Sequence, residues 1–197
     1  LSLHDALPIC ELNAVFVEFP SEVKAGRELA IDFYYSGTPT QTGRFGGFVF
    51  STDPKGRPWI YTACEGEGSS IWWPSKDQWR DEPDEMDISV AVPSALTNVS
   101  NGRFVSKKDV GGGFTQWNYH VAYPINSYDV SLNIGTYEHF SDKTGTTTLD
   151  FATANNFSMT LTGNVTLANP TNLTPGQTGI IYITQDATGS RTLAYGT

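Results

Sequence analysis

The feature that most constrains the fold of this chain is a succession of short runs rich in strand-forming residues. The runs are LNAVFVEFP, ELAIDFYYSG, GGFVFS, RPWIYTAC, MDISVAVP, GRFVSKKD, TQWNYHVAYP and YDVSLNIGTY. Turn residues separate them at a spacing of roughly ten residues, and no stretch keeps a 3.6-residue apolar period beyond a turn or two. The pattern predicts an all-β domain, either a sandwich or a saddle-like open β-sheet.

The character of the chain changes near Lys143. Asp150 is the only acidic residue from Lys143 to Ile183, and Thr, Asn and Gly become dense. Short alternating runs remain at Phe157–Leu161, Gly179–Thr184 and Thr192–Tyr195. We therefore place a boundary within Asp142–Gly145, between a β domain at 11–143 and a small β-rich fragment at 144–197.

The acidic balance of the chain limits its partners. Formal net charge is −9, and Lys and Arg occur singly or in pairs. Phosphate binding needs clustered cations, so we expect no nucleic-acid partner. No apolar run approaches the length of a membrane-spanning helix, and we expect no membrane span.

The opening residues, LSLHDALPIC, have no periodicity that links them to the rest of the chain. Leu1–Ile9 resembles, codon for codon, the translated end of a sequencing-library adapter. We expect residues 1–10 to be an artefactual or unstructured tail, outside the main core at Leu3, Leu7 and Ile9. His4 then has no role as a ligand, and Cys10 is not a disulfide partner of Cys64.

Motifs for catalysis are missing from the sequence. The histidines are His4, His120 and His139, and neither His120 nor His139 lies in an H-E-x-x-H motif. No nucleophile-elbow motif or Walker loop occurs. We expect no catalytic residue and no metal ligand in this chain, and we expect His120 to serve packing or to lie at the surface.

The densest chemistry lies in CEGEGSSIWWPSKDQWRDEPDEMD, at Cys64–Asp87. Its carboxylates could form a general acid–base pair, bind calcium, or hold a cationic substrate group. The alternative is a solvated acidic loop around Pro83. Trp72 and Trp73 are more typical of core and edge packing than of a ligand platform. The carboxylates in question are Glu65, Glu67, Asp81, Glu82, Asp84, Glu85 and Asp87.

The stretches NAVFVEFP, ELAIDFYYSGTP, GGFVFSTDPKGRPWIYTACEGEGSSIWWP, DEP and WNYHVAYPINSYDVSLNIGTYEHFSD resemble the N-terminal domain of bacterial zinc aminopeptidases of the aminopeptidase N family. The resemblance implies that Glu65 contacts the α-ammonium of a peptide, with Glu67 as the second candidate. Ala63 replaces the glutamine that is common in the family two residues earlier.

The same resemblance implies that zinc and catalysis belong to a further domain that is absent from this sequence. We therefore predict an incomplete, non-catalytic domain, with no cofactor of its own and no peptidase activity alone. The resemblance also makes a periplasmic or secreted location plausible.

Residues 144–197 instead resemble β modules of phage tail and other virion-structural proteins. Two alternative functions are a binding module, which rests on the tryptophans, and a virion-structural protein, which rests on residues 144–197. A carbohydrate- or surface-binding module would expose Trp72, Trp73 and Trp79 along one groove, and a virion-structural protein would oligomerise through its C-terminal strands.

Overall fold

A computed structural model describes residues 8–11, 14–17, 19–39, 41, 47–65, 68–76, 78 and 80–196. Strands dominate these residues, which include a short 3-10 helix at Ser127–Asp129, so the all-β prediction is confirmed. The chain forms two compact units, Leu1–Thr38 and Pro39–Thr197. In chain order the strands are β1 (Pro8–Glu11), β2 (Ala14–Val17), β3 (Gly47–Thr52), β4 (Pro58–Ala63), β5 (Met86–Pro93), β6 (Thr97–Ser100), β7 (Arg103–Gly111), β8 (Phe114–Val121), β9 (Leu132–Gly135), β10 (Tyr137–Thr147), β11 (Asn156–Leu167), β12 (Ile181–Gln185) and β13 (Leu193–Tyr195).

The first unit contains a two-stranded antiparallel sheet, in which β1 pairs with β2. The expected tail at 1–10 therefore contributes residues 8–10 to a strand. Leu3 and Leu7 lie outside the described residues, as do His4 and the side chains of Ile9 and Cys10. The origin of this segment stays a prediction.

The strand predicted for ELAIDFYYSG is wrong. Residues 28–39 have no regular secondary structure. The apolar side chains of Leu29, Ile31 and Phe33 are all exposed, at 40%, 40% and 45%. A strand is stabilised by hydrogen bonds to a neighbour, and no described strand pairs with this stretch.

Two antiparallel sheets form a sandwich at the start of the second unit. One sheet has the order β3-β4-β9-β6 and the other the order β5-β8-β7. In β5 the buried residues alternate with exposed ones, so that Ile88 and Val92 point inward. They pack with Tyr119 and Val121 of β8 and with β9, which gives one core between the sheets.

The remaining described sheet is parallel and lies in the second half of the chain. Its central strand, β11, pairs with β10 on one side and with β12 and then β13 on the other. Phe157, Met159 and Leu161 of β11 are almost fully buried and form the centre of a second core. The runs predicted at 157–161, 179–184 and 192–195 thus correspond to strands β11, β12 and β13.

Strand β10 crosses the predicted boundary at 143/144. Its pairing with β11 shifts register between Phe140 and Lys143 and again between Lys143 and Gly145. Asp142 and Gly145 both have positive φ, at 52° and 73°. The backbone is therefore irregular where the composition changes, and the boundary itself stays a prediction.

The turn between β3 and β4 contacts the loop between β10 and β11. Lys55 Nζ donates to the carbonyl of Ala152 at 2.6 Å. Arg57 donates through Nη1 to the carbonyl of Thr153 and through Nε to Asp53 Oδ2, the latter at 2.6 Å. These contacts join the sandwich to the parallel sheet.

Asp53 is buried at the centre of this contact, at 5% exposure. Burial alone raises the pKa of its carboxyl group. Hydrogen bonds from the backbone N–H and guanidinium of Arg57, and from the backbone N–H of Lys55, outweigh burial and lower that pKa below its ordinary value. Asp53 is therefore held as a charged, hydrogen-bonded group.

Candidate functional site

Glu65 lies just beyond the end of β4. The strand ends at Ala63, Cys64 is buried at 3% exposure, and Glu65 begins a turn. The N–H of Gly68 donates to the carbonyl of Cys64 at 2.9 Å and closes that turn. A buried side chain thus anchors the turn and leaves the Glu65 carboxylate exposed to solvent. Glu67, the second candidate, lies outside the described residues.

The segment after this turn folds back onto the sandwich. Ser69 is fully buried, and its hydroxyl lies 2.6 Å from that of Ser75. The N–H groups of Trp72 and Trp73 approach the carbonyl of Ser69, at 3.1 and 3.3 Å. Both indole rings are half-buried against the sandwich core, and Trp72 lies edge-on to Phe48 at 5.9 Å.

The packing of Trp72 and Trp73 is the core and edge packing that the sequence predicts. It argues against a groove in which both rings are exposed. Trp79, the third member of that predicted groove, lies outside the described residues.

Three of the acidic residues that follow have separate partners. Asp81 pairs with Lys76, Glu82 accepts a hydrogen bond from Asn126 Nδ2 at 2.9 Å, and Asp87 lies 2.8 Å from His120 Nδ1. Such an arrangement is typical of a solvated acidic loop. Within the described part of the chain, no three His, Cys, Asp or Glu side chains converge as a metal site would require. The prediction that zinc belongs to another domain is not tested by this.

A pair formed by His139 and Ser158 is not indicated by any pattern in the sequence. His139 Nδ1 lies 2.8 Å from Ser158 Oγ at an exposed position. The two residues are aligned in the parallel register of β10 and β11. Local periodicity does not reveal which strands are neighbours, and so the pair could not be found from the sequence pattern.

Comparison with known proteins gives two different likenesses. The family "Putative phage tail fibre C-terminal domain" matches residues 144–197. A two-domain M1 zinc metallopeptidase mutant bound to L-arginine covers 66% of this chain at 19% identity, with a TM-score of 0.52. The same kind of mutant bound to L-tryptophan covers 66% of this chain at 18% identity, with a TM-score of 0.51.

The peptidase likeness is one of fold. This chain spans 29% and 30% of the two peptidase chains. An M1 zinc metallopeptidase from Deinococcus radiodurans covers 39% of this chain and 17% of its own length, at 21% identity and a TM-score of 0.37. A search of curated proteins found no match. Both predicted resemblances, to zinc peptidases of this class and to phage tail modules, are confirmed.

The described residues contain no helix that is both long enough and apolar enough to traverse a lipid bilayer.

Proposed function

We propose that the sandwich is a non-catalytic peptide-binding domain of a zinc aminopeptidase-like protein, and that Glu65 binds the α-ammonium of the peptide. The observation that carries the proposal is the position of Glu65, exposed on a turn whose preceding residue, Cys64, is fixed in the core. A carboxylate suits an ammonium group because a charge-assisted hydrogen bond is stronger than a neutral one. The fold likeness to M1 zinc metallopeptidases supports the same assignment.

The chemistry of such an enzyme needs groups that the described residues do not bring together. Polarisation of a peptide carbonyl by zinc requires a cluster of metal ligands, and the described histidines pair singly, His120 with Asp87 and His139 with Ser158. Because the sequence contains no H-E-x-x-H motif, our proposal for this chain is binding without a hydrolytic step. Purified protein with added zinc should release no chromophore from an aminoacyl chromogenic substrate, and zinc-dependent release would contradict the assignment.

The binding role can be tested with one pair of peptides. We expect a tripeptide with a free amino terminus to shift the NMR amide signals of Cys64, Glu65 and Gly68 at millimolar concentration, and the N-acetylated peptide to shift them much less. Glu65→Gln should weaken this binding about threefold, since an exposed ion pair contributes up to ~1 kcal/mol. Glu85→Gln, which removes another exposed carboxylate, is the matched control. Equal shifts with both peptides, or equal losses in both variants, would refute the role of Glu65.

A second candidate function applies to the parallel sheet, because residues 144–197 match the tail-fibre family. We propose that this sheet is a virion-structural module that assembles through its last strands. Ile181 of β12 and Tyr195 of β13 are 40% and 76% exposed. Light scattering should give a mass above that of the monomer, and Ile181→Lys should reduce it. A monomer at every concentration would exclude assembly through this surface.

A further inference from the structure

Strand β7 carries cations on a sheet edge that has no partner among the described strands. It lies at the end of the order β5-β8-β7, and all nine of its residues are exposed. Its sequence, RFVSKKDVG, contains Arg103, Lys107 and Lys108. None of the three forms an ion pair with a described residue. In a chain of net charge −9, this strand is a local concentration of positive charge.

The cations of β7 project from both faces of the sheet. Arg103 is opposite His120 in the register with β8, and Lys108 is opposite Gln116. Lys107 is opposite Trp117 and holds its Nζ 5.5 Å from the centre of that ring. A strand laid along β7 would therefore meet a cation on each face, whichever way its own side chains alternate.

β7 also contains one acidic residue, Asp109, so three cations and one carboxylate leave the strand with a positive formal charge. Asp109 Oδ1 accepts the N–H of Gly111 at 2.8 Å, within the turn that leads to β8. Apolar side chains complete the surface, since Phe104, Val105 and Val110 are 40%, 55% and 45% exposed. The edge thus offers backbone hydrogen-bonding groups, positive charge and apolar contact together.

We propose that β7 is a docking edge for an extended acidic segment of a partner protein, which adds a strand to the sheet. Main-chain hydrogen bonds would give the segment its alignment, and its carboxylates would meet Arg103, Lys107 and Lys108. The complementarity of charge identifies the partner as an acidic, alternating peptide. This function is independent of Glu65, which lies on the turn after β4 in the other sheet of the sandwich.

Lysine on an exposed edge strand has the opposite role in many proteins, where it prevents pairing. A binding experiment on the full chain distinguishes docking of an acidic segment from protection of the edge. The probe is a fluorescent peptide of alternating Glu and Val, measured by anisotropy. Its controls are a peptide of alternating Lys and Val, and the acidic peptide N-methylated at every second residue, which lacks the donors that strand pairing needs.

We expect the acidic peptide to bind, the N-methylated peptide to bind at least about tenfold more weakly, and the basic peptide not to bind. The double variant Lys107→Glu/Lys108→Glu should weaken binding at least about fivefold, because each exposed pair contributes modestly. Lys24→Glu, at an exposed position in the first unit, should leave it unchanged. Far-UV circular dichroism of each variant monitors the fold, and Lys107→Ala/Lys108→Ala, which should also weaken binding, replaces the double variant if that variant unfolds.

Two results would overturn the proposal. Absence of binding to all three peptides means that the lysines protect the edge. Binding that survives N-methylation, or that Lys24→Glu weakens as much as the double variant does, means that attraction is general and does not use β7.

Discussion

The sandwich and the parallel sheet differ in how the chain connects their paired strands. In the sandwich, antiparallel neighbours such as β7 and β8 are joined by a short turn at 112–113. In the second half, β10, β11 and β12 run parallel, and parallel strands need a connection that returns the chain to its starting end. Helices usually make that return, but here 148–155 and 168–180 contain none.

In the parallel half, side-chain hydrogen bonds hold the loops that connect the strands. Asn156 Oδ1 accepts the N–H of Ile180, and Asn155 Nδ2 donates to the carbonyl of Thr178, at 2.9 and 2.6 Å. Asn164 Oδ1 accepts the N–H of Thr192 at 3.1 Å. These three Asn side chains therefore have a structural role after Lys143, because they satisfy backbone groups of the connecting loops.

The largest expected effect is in the core of the parallel sheet. Phe157 is fully buried and contacts Phe140 and Phe151, with ring centroids 6.0 and 4.9 Å away. Phe157→Ala should lower the free energy of unfolding by about 3–5 kcal/mol, because it leaves a cavity. Urea denaturation followed by circular dichroism measures the loss. A loss under ~1 kcal/mol would show that this core is loosely packed.

Glycine substitutions in the sandwich and in the parallel sheet should lower the free energy of unfolding by similar amounts. A Cβ on Gly102 would lie 2.3 Å from the carbonyl oxygen of His120, and one on Gly179 would lie 2.0 Å from that of Asn155. Each change to alanine should destabilise the protein by about 1–3 kcal/mol. Gly37→Ala, at a position with open space, is the control. A neutral result at Gly179 alone would mean that the connecting loop at 168–180 can relax where the sandwich cannot.

The contact between the sandwich and the parallel sheet predicts that the stability of the protein falls in acid. The pKa of Asp53 is lowered in the folded protein, so its stabilising contribution is present above pH ~4 and is lost as the pH falls below that value. Arg57→Met should remove the ion pair and cost about 1–2 kcal/mol at neutral pH. Asp53→Asn should flatten the decline of melting temperature between about pH 4 and pH 2. An unchanged acid profile would mean that Asp53 does not link the halves.

The smallest predicted effects on stability come from the loss of either of two ion pairs. Lys76 and Asp81 are 73% and 53% exposed, and Lys76→Met should change stability by at most about 0.5 kcal/mol. Arg191 and Asp186 are 27% and 19% exposed and are joined by two hydrogen bonds, at 3.3 and 2.8 Å. Arg191→Met should therefore lower the melting temperature more than Lys76→Met does. The reverse order in differential scanning calorimetry would contradict the geometry.

Local patterns in the sequence predicted most of the sandwich. The runs MDISVAVP and TQWNYHVAYP alternate apolar and polar residues, and they correspond to β5 and β8 because one face of each is buried. ELAIDFYYSG has the same local pattern, yet no partner strand lies beside it. Alternation indicates that a stretch can form a strand, whereas pairing depends on the rest of the fold.

Long-range register could not be predicted for the candidate sites. The exposed turn at Glu65 could be inferred from turn residues and the family resemblance. The contact of Arg57 with Thr153 and the pairing of His139 with Ser158 depend on strands that are distant in the sequence. β10 itself was missed, because its stretch EHFSDKTGTT has no clean alternation across the register shifts.

We infer that the sandwich and the parallel sheet, which lie in one compact unit, Pro39–Thr197, fold together. All five tryptophans precede Lys143, so tryptophan fluorescence reports on the sandwich, whereas far-UV circular dichroism reports on both halves. We predict coincident urea transitions by the two probes, and a Phe157→Ala variant whose fluorescence midpoint falls together with its dichroism midpoint. A fluorescence transition that Phe157→Ala leaves in place, beside a separate dichroism transition at lower urea, would contradict the claim.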